Sequence, residues 1–285
     1  MPNILDIRRR IRSVKNTQQI TKAMKMVSAA KLRRAQERVM SARPYAQKIL
    51  SVLNSLVTRS EGQTHPLLED RGGERIQLVV VTADKGLCGA FNSNIIKAAQ
   101  TFIGEHRHRQ LALNCVGRKG RDFFRKGSAK IVHESVNIFA RLDYSHAKQV
   151  SAVLMEEFVN KEVDTVYLVY NEFKSVIQQR IVVEQLLPIQ KLAVSETASL
   201  IDYIYEQPAG EIFSSLIPKH VEVQVFRALL ESAAAEHGAR MTAMDAATNN
   251  AIDLIDSLTL TMNRARQAAI TKEIIEIVGG AAALE

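Results

Sequence analysis

The sequence predicts a Rossmann-like α/β domain with a mostly parallel sheet. It is inserted between two long terminal helices that fold back on each other as an antiparallel coiled coil. Three observations predict this. Between Asn3 and Ser60 the only proline is Pro44. None follows Pro218, and from Lys219 to Val278 the only glycine is Gly238. Between these ends, short β-branched runs alternate with helical ones. A helix of about 60 residues is roughly 90 Å long, so it cannot bury its apolar stripe inside its own domain. It needs a partner helix, a surrounding protein, or both, and the pattern suggests a shaft rather than a pocket.

In chain order the expected divisions are an N-terminal coiled-coil helix over 1–59, a loop over 60–75 and the α/β domain over 76–190. A linker with short helices over 191–218 and the C-terminal coiled-coil helix over 219–285 complete the chain. In the first helix Ile4, Ile7, Ile11 and Val14 step by three and four, which is a coiled-coil seam. The phase then shifts to Ile20, Met24 and Val27, with small residues Ser28, Ala29, Ala30 and Ala35 following. Pro44 is expected to kink or restart the helix, and the pattern resumes through Ile49, Leu53 and Leu56. The stretch 60–74 reads as a loop with a proline and a glycine pair.

In the middle domain, Ile76–Thr82 reads as a buried strand, and Asn92 is expected to cap a helix running to about Arg107. A strand over Leu111–Val116, a short helix over Gly117–Lys126 and a weaker strand over Ile131–Phe139 follow. Asp143 or Ser145 starts a helix ending near Asn160. Thr165–Phe173 is a strand, and Val176–Leu186 pairs with it, with an antiparallel hairpin open. The β-α-β-α order argues for parallel pairing with helices on the faces. Gln190–Ser199 is a linker, and Leu200–Tyr205 and Glu211–Ile217 lead into the last helix. Its seam is read as Leu254, Leu258, Thr261, Ala265, Ala268, Lys272 and Ile275.

Charge is unevenly placed. Residues 1–48 hold thirteen Lys/Arg against two acids, whereas 211–285 hold six Lys/Arg against ten acids, in a chain of net charge +8. The basicity belongs to one helix, which should meet an acidic surface. Nucleic-acid binding would call for interleaved aromatics, yet Tyr45 is the first aromatic. A membrane-surface helix would favour bulky Leu, Phe or Trp on its apolar face, where this one carries Ile, Met and Ala. A transit peptide shares the Arg-rich, acid-poor composition, but the seam runs on past the usual length. No run approaches the ~18 apolar residues of a transmembrane helix. The two cysteines, Cys88 and Cys115, form no CxxC or framework spacing, which favours a reduced setting.

Chemistry-bearing motifs are sparse. The segment Thr82–Asn92 (TADKGLCGAFN) follows a strand and precedes a helix, where phosphate loops sit. It contains a GxxG (Gly86, Gly89) and matches neither GxGxxG nor GxxxxGK[ST], so a tight strand-to-helix turn is the plainer reading. Cys88 lies near Lys85, but no base or orienting group can be assigned to it. The seven histidines form neither HExxH nor a Cys/His cluster. No catalytic, cofactor or metal residues are assigned.

Three segments together carry a resemblance that covers essentially the whole chain. They are DIRRRIRSVKNTQQITKAMKMVSAAKLRRAQ from Asp6, TADKGLCGAFN with GRKGRDFF from Gly117, and ESAAAEHGARMTAMDAATNNAIDLIDSLTLTMNRARQAAITKEIIEIVGGAAA from Glu231. The chain resembles the gamma subunits of F-type ATP synthases. The resemblance implies a non-catalytic rotor shaft, needing no cofactor, inside a ring of three alpha and three beta subunits. Its foot would rest on epsilon and the membrane c-ring, with delta in the same complex. The shaft would turn with ion flow while ATP is made or hydrolysed on beta. It implies a peripheral location on the cytoplasmic face of a bacterial cell membrane. The start at Asn3–Arg10, with no leader, fits a bacterial or processed chain.

Residue roles follow from the resemblance. Met24 and Lys25 would lie against the lever region of beta, and Arg266, Gln267 and Thr271 would catch a beta loop. Lys85 and Cys88 would belong to a loop near the lower end of beta. The tip, with Ile274, Ile277, Val278, Ala282 and Leu284, would turn in the apolar collar of the hexamer. Tyr203, Tyr205 and Glu206 would contact epsilon and the c-ring. The cysteine pair and insert of chloroplast members are absent, so thiol regulation is not expected. The rival readings are a nucleotide-binding α/β enzyme and a basic helical nucleic-acid binder.

Overall fold

A computed structural model describes residues 3–59, 65–127, 129–175, 178–190 and 209–282. The chain divides into two compact units, residues 1–28 with 241–285, and residues 29–240. The long helices α1 (Ile4–Arg59) and α5 (Ala209–Ala282) each contribute to both.

The unit of residues 29–240 holds the sheet. Its elements are β1 (Arg75–Val81), α2 (Phe91–Glu105), β2 (Gln110–Val116), α3 (Arg118–Phe124), β3 (Lys130–Ser135), α4 (Tyr144–Val159), β4 (Thr165–Phe173) and β5 (Gln179–Leu187). Strand order is β3-β2-β1-β4-β5. The first four strands are parallel and β5 returns antiparallel on β4. The continuous apolar run Leu78–Val81 in β1 is buried, as a central parallel strand covered on both faces requires.

Several expectations shift. Residues 136–139 do not prolong β3. Asn137 adopts a left-handed φ of 63° and a short 3-10 turn over Ile138–Arg141 follows, which ends the strand. Asn92 does not cap α2, which starts one residue earlier at Phe91; its Oδ1 accepts the Ala83 N–H instead, at 2.9 Å. Asp143 does cap α4, in a reciprocal box with His146. The expected short helix at 211–217 is the start of α5 itself, which runs unbroken through Pro218.

Neither does Pro44 restart α1, which is one helix from Ile4 to Arg59. A helical proline frees the carbonyl four residues earlier. Here those residues are Met40 and Ser214, both exposed, where water can satisfy the freed group.

Between residues 217 and 236, α5 is buried almost all round, with Val221, Val225, Ala228, Leu229, Ala234 and Ala235 essentially inaccessible. It is pinned to the carboxyl ends of the parallel strands. Glu231 Oε2 accepts the Phe173 N–H at the end of β4 (3.1 Å), and Arg240 donates to the Gly86 carbonyl beyond β1 (3.1 Å). In open α/β sheets that edge, where strand order reverses between β1 and β4, is where nucleotides bind. Here the chain's own helix occupies it.

In the unit of residues 1–28 and 241–285, α1 and α5 pair antiparallel, with Thr21 opposite Thr248 and Lys25 opposite Asp245. The phase shift expected at Ile20 does not occur. The inward positions of α1 are Ile4, Ile7, Ile11, Val14, Gln18, Thr21, Lys25 and Ser28, an unbroken alternation of three and four. In the other unit the same spacing continues through Leu32, Ala35, Val39, Ala42, Ala46, Ile49 and Leu53. On α5 the inward positions are Met244, Thr248, Ala251, Ile255, Leu258, Met262, Ala265 and Ala269. Of the seam expected there, Leu258 and Ala265 face inward, whereas Leu254, Thr261, Ala268, Lys272 and Ile275 are exposed.

Candidate functional surfaces of the helices and the sheet domain

The polar seam has a direct consequence. Because Gln18, Thr21, Lys25 and Ser28 take the inward positions, apolar residues beside them are turned outward. Ile20 is 59% exposed and Val27 57% exposed, with Leu5 and Met26 also bare. On α5 of the same unit Ile252, Leu254, Leu260, Ile270, Ile274, Ile275, Ile277 and Val278 are exposed. An apolar surface on this scale marks a contact with another protein.

The inward polar groups are satisfied. The hydroxyls of Thr21 and Thr248 are 2.8 Å apart, and Thr248 also reaches the Met244 carbonyl at 2.7 Å. One hydroxyl donates to the other, and the second donates to its own helix. Lys25 donates to Asp245 at 2.5 Å. Both side chains of that pair are partly exposed, so it contributes at most about 1 kcal/mol of stability.

The contact residues expected from the resemblance fall as follows. Met24 and Lys25 are half-buried, and Lys25 is engaged by Asp245. Arg266, Gln267 and Thr271 are exposed; the Thr271 hydroxyl donates to the Gln267 carbonyl at 2.9 Å. Ile274, Ile277 and Val278 are exposed, and Ala282 is the last residue of α5. Leu284, Tyr203, Tyr205 and Glu206 lie outside the described residues.

A second surface is the β1–α2 loop in the unit of residues 29–240. Asp84 anchors it, accepting from the backbone N–H groups of Arg118 (3.0 Å) and Asn137 (2.8 Å). Arg240, paired with the buried Glu236 at 2.7 Å, holds the Gly86 carbonyl. Lys85 is exposed. Cys88 is not: it is buried, and its sulfur receives the Asn92 amide at 3.2 Å. Burial pushes its thiol pKa up, so it is not an activated nucleophile. It packs the loop from inside, and the residue presented in its place is Leu87, 66% exposed at φ 60°. A leucine in the left-handed region is strained, and such strain persists where the surrounding bonds fix the loop. Sequence reasoning missed Leu87 because backbone conformation at a non-glycine residue leaves no compositional signal.

The glycines of GRKG have a packing reason. Gly117 has φ +95°, and a Cβ there would lie 2.1 Å from the Thr82 carbonyl oxygen. A Cβ on Gly120 would meet the Thr82 side chain at 2.9 Å, while the Gly120 N–H donates to the Thr82 hydroxyl at 2.8 Å. These glycines seat α3 on the end of β1. Among the described residues no helix is long and apolar enough to cross a membrane.

Comparison with known proteins identifies the family of the chain. The family described as ATP synthase matches residues 3–284. The ATP synthase gamma chain of Solibacter usitatus is 55% identical over 289 residues, covering 100% of both chains. That of Pelotomaculum thermopropionicum is 50% identical over 285 residues, again 100% of both. A chain in the central stalk/c-ring structure of Tetrahymena thermophila mitochondrial ATP synthase aligns with TM-score 0.63 and 28% identity, over 80% of this chain and 99% of that one. A chain of the Euglena gracilis OSCP/F1/c-ring structure shares the fold, with TM-score 0.70 and 22% identity over 99% and 94% of the two chains. With full-length matches at this identity and outward apolar helix faces that call for a surrounding protein, the chain belongs to the ATP synthase gamma chain family.

Proposed function

We propose that this chain is the central rotor shaft of an F-type ATP synthase. It turns inside a ring of alpha and beta subunits and couples ion flow through a membrane c-ring to ATP chemistry on beta. The observation that carries this is the row of bare aliphatic groups on the outer faces of the helix pair, beside a stretch of α1 whose inward positions, Gln18, Thr21, Lys25 and Ser28, are polar. A coiled coil free in water would turn such aliphatic groups inward. Small and aliphatic groups at the tip offer few directional bonds, so they suit a surface that must turn. Arg266, Gln267 and Thr271, exposed together, can form bonds to a beta loop that break and reform at each step.

Met24 meets the lever region of beta. Lys25 can offer beta a further N–H while still bonded to Asp245, because its ammonium carries three donors. Lys85 and the strained Leu87 meet the lower end of beta, with Cys88 supporting them from behind. Tyr203, Tyr205 and Glu206 face epsilon and the c-ring, and delta belongs to the same complex. The chain is then a peripheral component on the cytoplasmic face of a bacterial membrane, and it carries no catalytic site of its own. The occupied crevice at the carboxyl edge of the sheet disfavours the nucleotide-binding reading.

The test is co-purification with the host's alpha and beta subunits, followed by ATPase assays with and without this chain. A stable complex whose steady turnover requires the chain, and falls when residues from Lys272 onward are removed, is the expected result. Turnover indifferent to the chain would overturn the reading.

A further inference from the structure

A shaft must receive torque at its foot, and apolar packing is poorly suited to that task. Hydrophobic contact is non-directional, so it does not by itself fix one rotational setting of a helix. Directional bonds between the sheet domain and the helices are what resist shear. In the unit of residues 29–240, four α5 side chains make such ties among the described residues. Tyr144 donates to Glu222 at 2.5 Å, Arg227 pairs with Glu184 at 3.0 Å, and Arg240 holds the Gly86 carbonyl. These three run from α5 to the sheet domain. The fourth, at Glu231, also reaches α1.

The Glu231 side chain is 4% exposed. Its Oε1 accepts from Arg43 of α1, at 2.9 Å from one terminal nitrogen and 3.3 Å from Nε. Its Oε2 accepts the backbone N–H of Phe173, at 3.1 Å, where β4 ends. A single buried carboxylate thus joins both long helices and the central part of the sheet. An ionised carboxylate suits the position, because bonds to it are shorter and roughly twice as strong as neutral ones. The backbone donor fixes it to the rigid end of a strand, not to a mobile side chain.

We propose that Glu231 is a principal joint through which torque passes between the sheet domain and the helices, because it alone of these four side chains ties both long helices to the sheet. This rests on the shaft reading above. The joint is idle when only ATP hydrolysis in the hexamer turns an unloaded shaft, and it is loaded when the membrane ring is attached. Glu231 is a positioning residue, and its removal should separate two activities that a misfolded chain would lose together.

The experiment compares wild type, Glu231→Ala and Arg43→Ala in two assemblies. One is the soluble complex of alpha, beta and this chain, assayed for ATP turnover. The other is the full membrane complex in vesicles, assayed for ion uptake per ATP hydrolysed, with a pH-sensitive dye and with radioactive sodium. Glu231→Ala is expected to keep soluble turnover within about two-fold while lowering uptake per ATP on the order of three-fold or more. Arg43→Ala removes the α1 link alone and should lower it less. Its side chain is half exposed beside a cavity of about 350 Å³, so water can replace it if Glu231→Ala fails to assemble. Unchanged uptake per ATP in assembled Glu231→Ala, or in Arg43→Ala where that one fails, overturns the proposal. So does a parallel fall in both assays, which marks a merely structural residue. Soluble turnover that never needs the chain would instead bring down the shaft reading itself.

Discussion

Leu87 holds an unfavourable backbone conformation while exposing an apolar side chain, two costs at one residue. Replacing it by glycine relieves the first, worth about 1 kcal/mol, and adds unfolded-state entropy of similar size. Leu87→Gly should therefore change the thermal stability of the chain little. It should still weaken retention of the chain by alpha and beta during a salt wash, because the loop loses its one large apolar contact. Loss of stability without loss of retention would mean that the leucine serves the fold. Cys88, one residue on, makes a contrasting case. Buried and with its pKa raised, it should react with iodoacetamide far more slowly in the folded chain than in denaturant. Rapid labelling of the native chain would show that the loop opens.

At the scale of elements, Thr82, Gly117 and Gly120 form one packing unit between β1, β2 and α3. Gly117→Ala puts a methyl group 2.1 Å from a backbone oxygen at a positive φ, and should destabilise the chain by about 3 kcal/mol. Denaturant unfolding followed by circular dichroism would measure it, and a change within about 0.5 kcal/mol would contradict the geometry. The strands were legible in the sequence because a buried parallel sheet writes itself as continuous β-branched runs such as IQLVVV. The helix seams were legible only in part: Ile4, Ile7, Ile11 and Val14 face inward as read, and the continuation beyond them does not follow the apolar residues. Reading them assumed that apolar residues point at the partner helix, and in residues 18–28 the reverse holds, with Thr21 and Lys25 inward and Ile20 and Val27 outward. Sequence periodicity reports which face is buried in the final environment, and for these helices that environment includes other proteins. Starting from Ile4, Ile7, Ile11 and Val14 and keeping the alternation of three and four, whatever residues it met, would have found the true seam. The proposed contact residues rest on the resemblance alone, since exposed Arg266, Gln267 and Thr271 have no local signature.

For the whole molecule, charge and burial set two dependences on solution conditions. The thirteen cations of residues 1–48 form few ion pairs among the described residues, chiefly Lys25–Asp245 and Arg43–Glu231 between helices. Assembly with an acidic partner should weaken about ten-fold between low and high salt, read as a dissociation constant. Reversing several exposed cations should abolish that dependence, and identical assembly of wild type and reversed variants would sink it. Acid acts on the fold itself. His220 of α5 is buried and His237 half-buried, and desolvation lowers both pKa values from 6.5 to about 4, helped by Arg227 near the first and by Arg240 and Lys31 near the second. The unfolded chain takes up these protons below pH 6.5 while the folded chain refuses them until about pH 4. Stability is therefore complete above pH 6.5 and falls as pH drops through that window, by up to about 3 kcal/mol per histidine. Asp164, held below its usual range by the Arg75 guanidinium, adds a loss at still lower pH. Glu236 works in the opposite sense, because burial raises its pKa and protonation relieves it. With His65 also lowered by burial, the three histidines outweigh the one raised carboxylate and leave a net loss on acidification. The denaturation midpoint should fall steadily from pH 6.5 to 4.5, and the slope should be shallower in His220→Gln and shallower again when His237→Gln is added. A slope untouched by both substitutions would place the acid sensitivity elsewhere, in the carboxylates rather than in the buried core of α5.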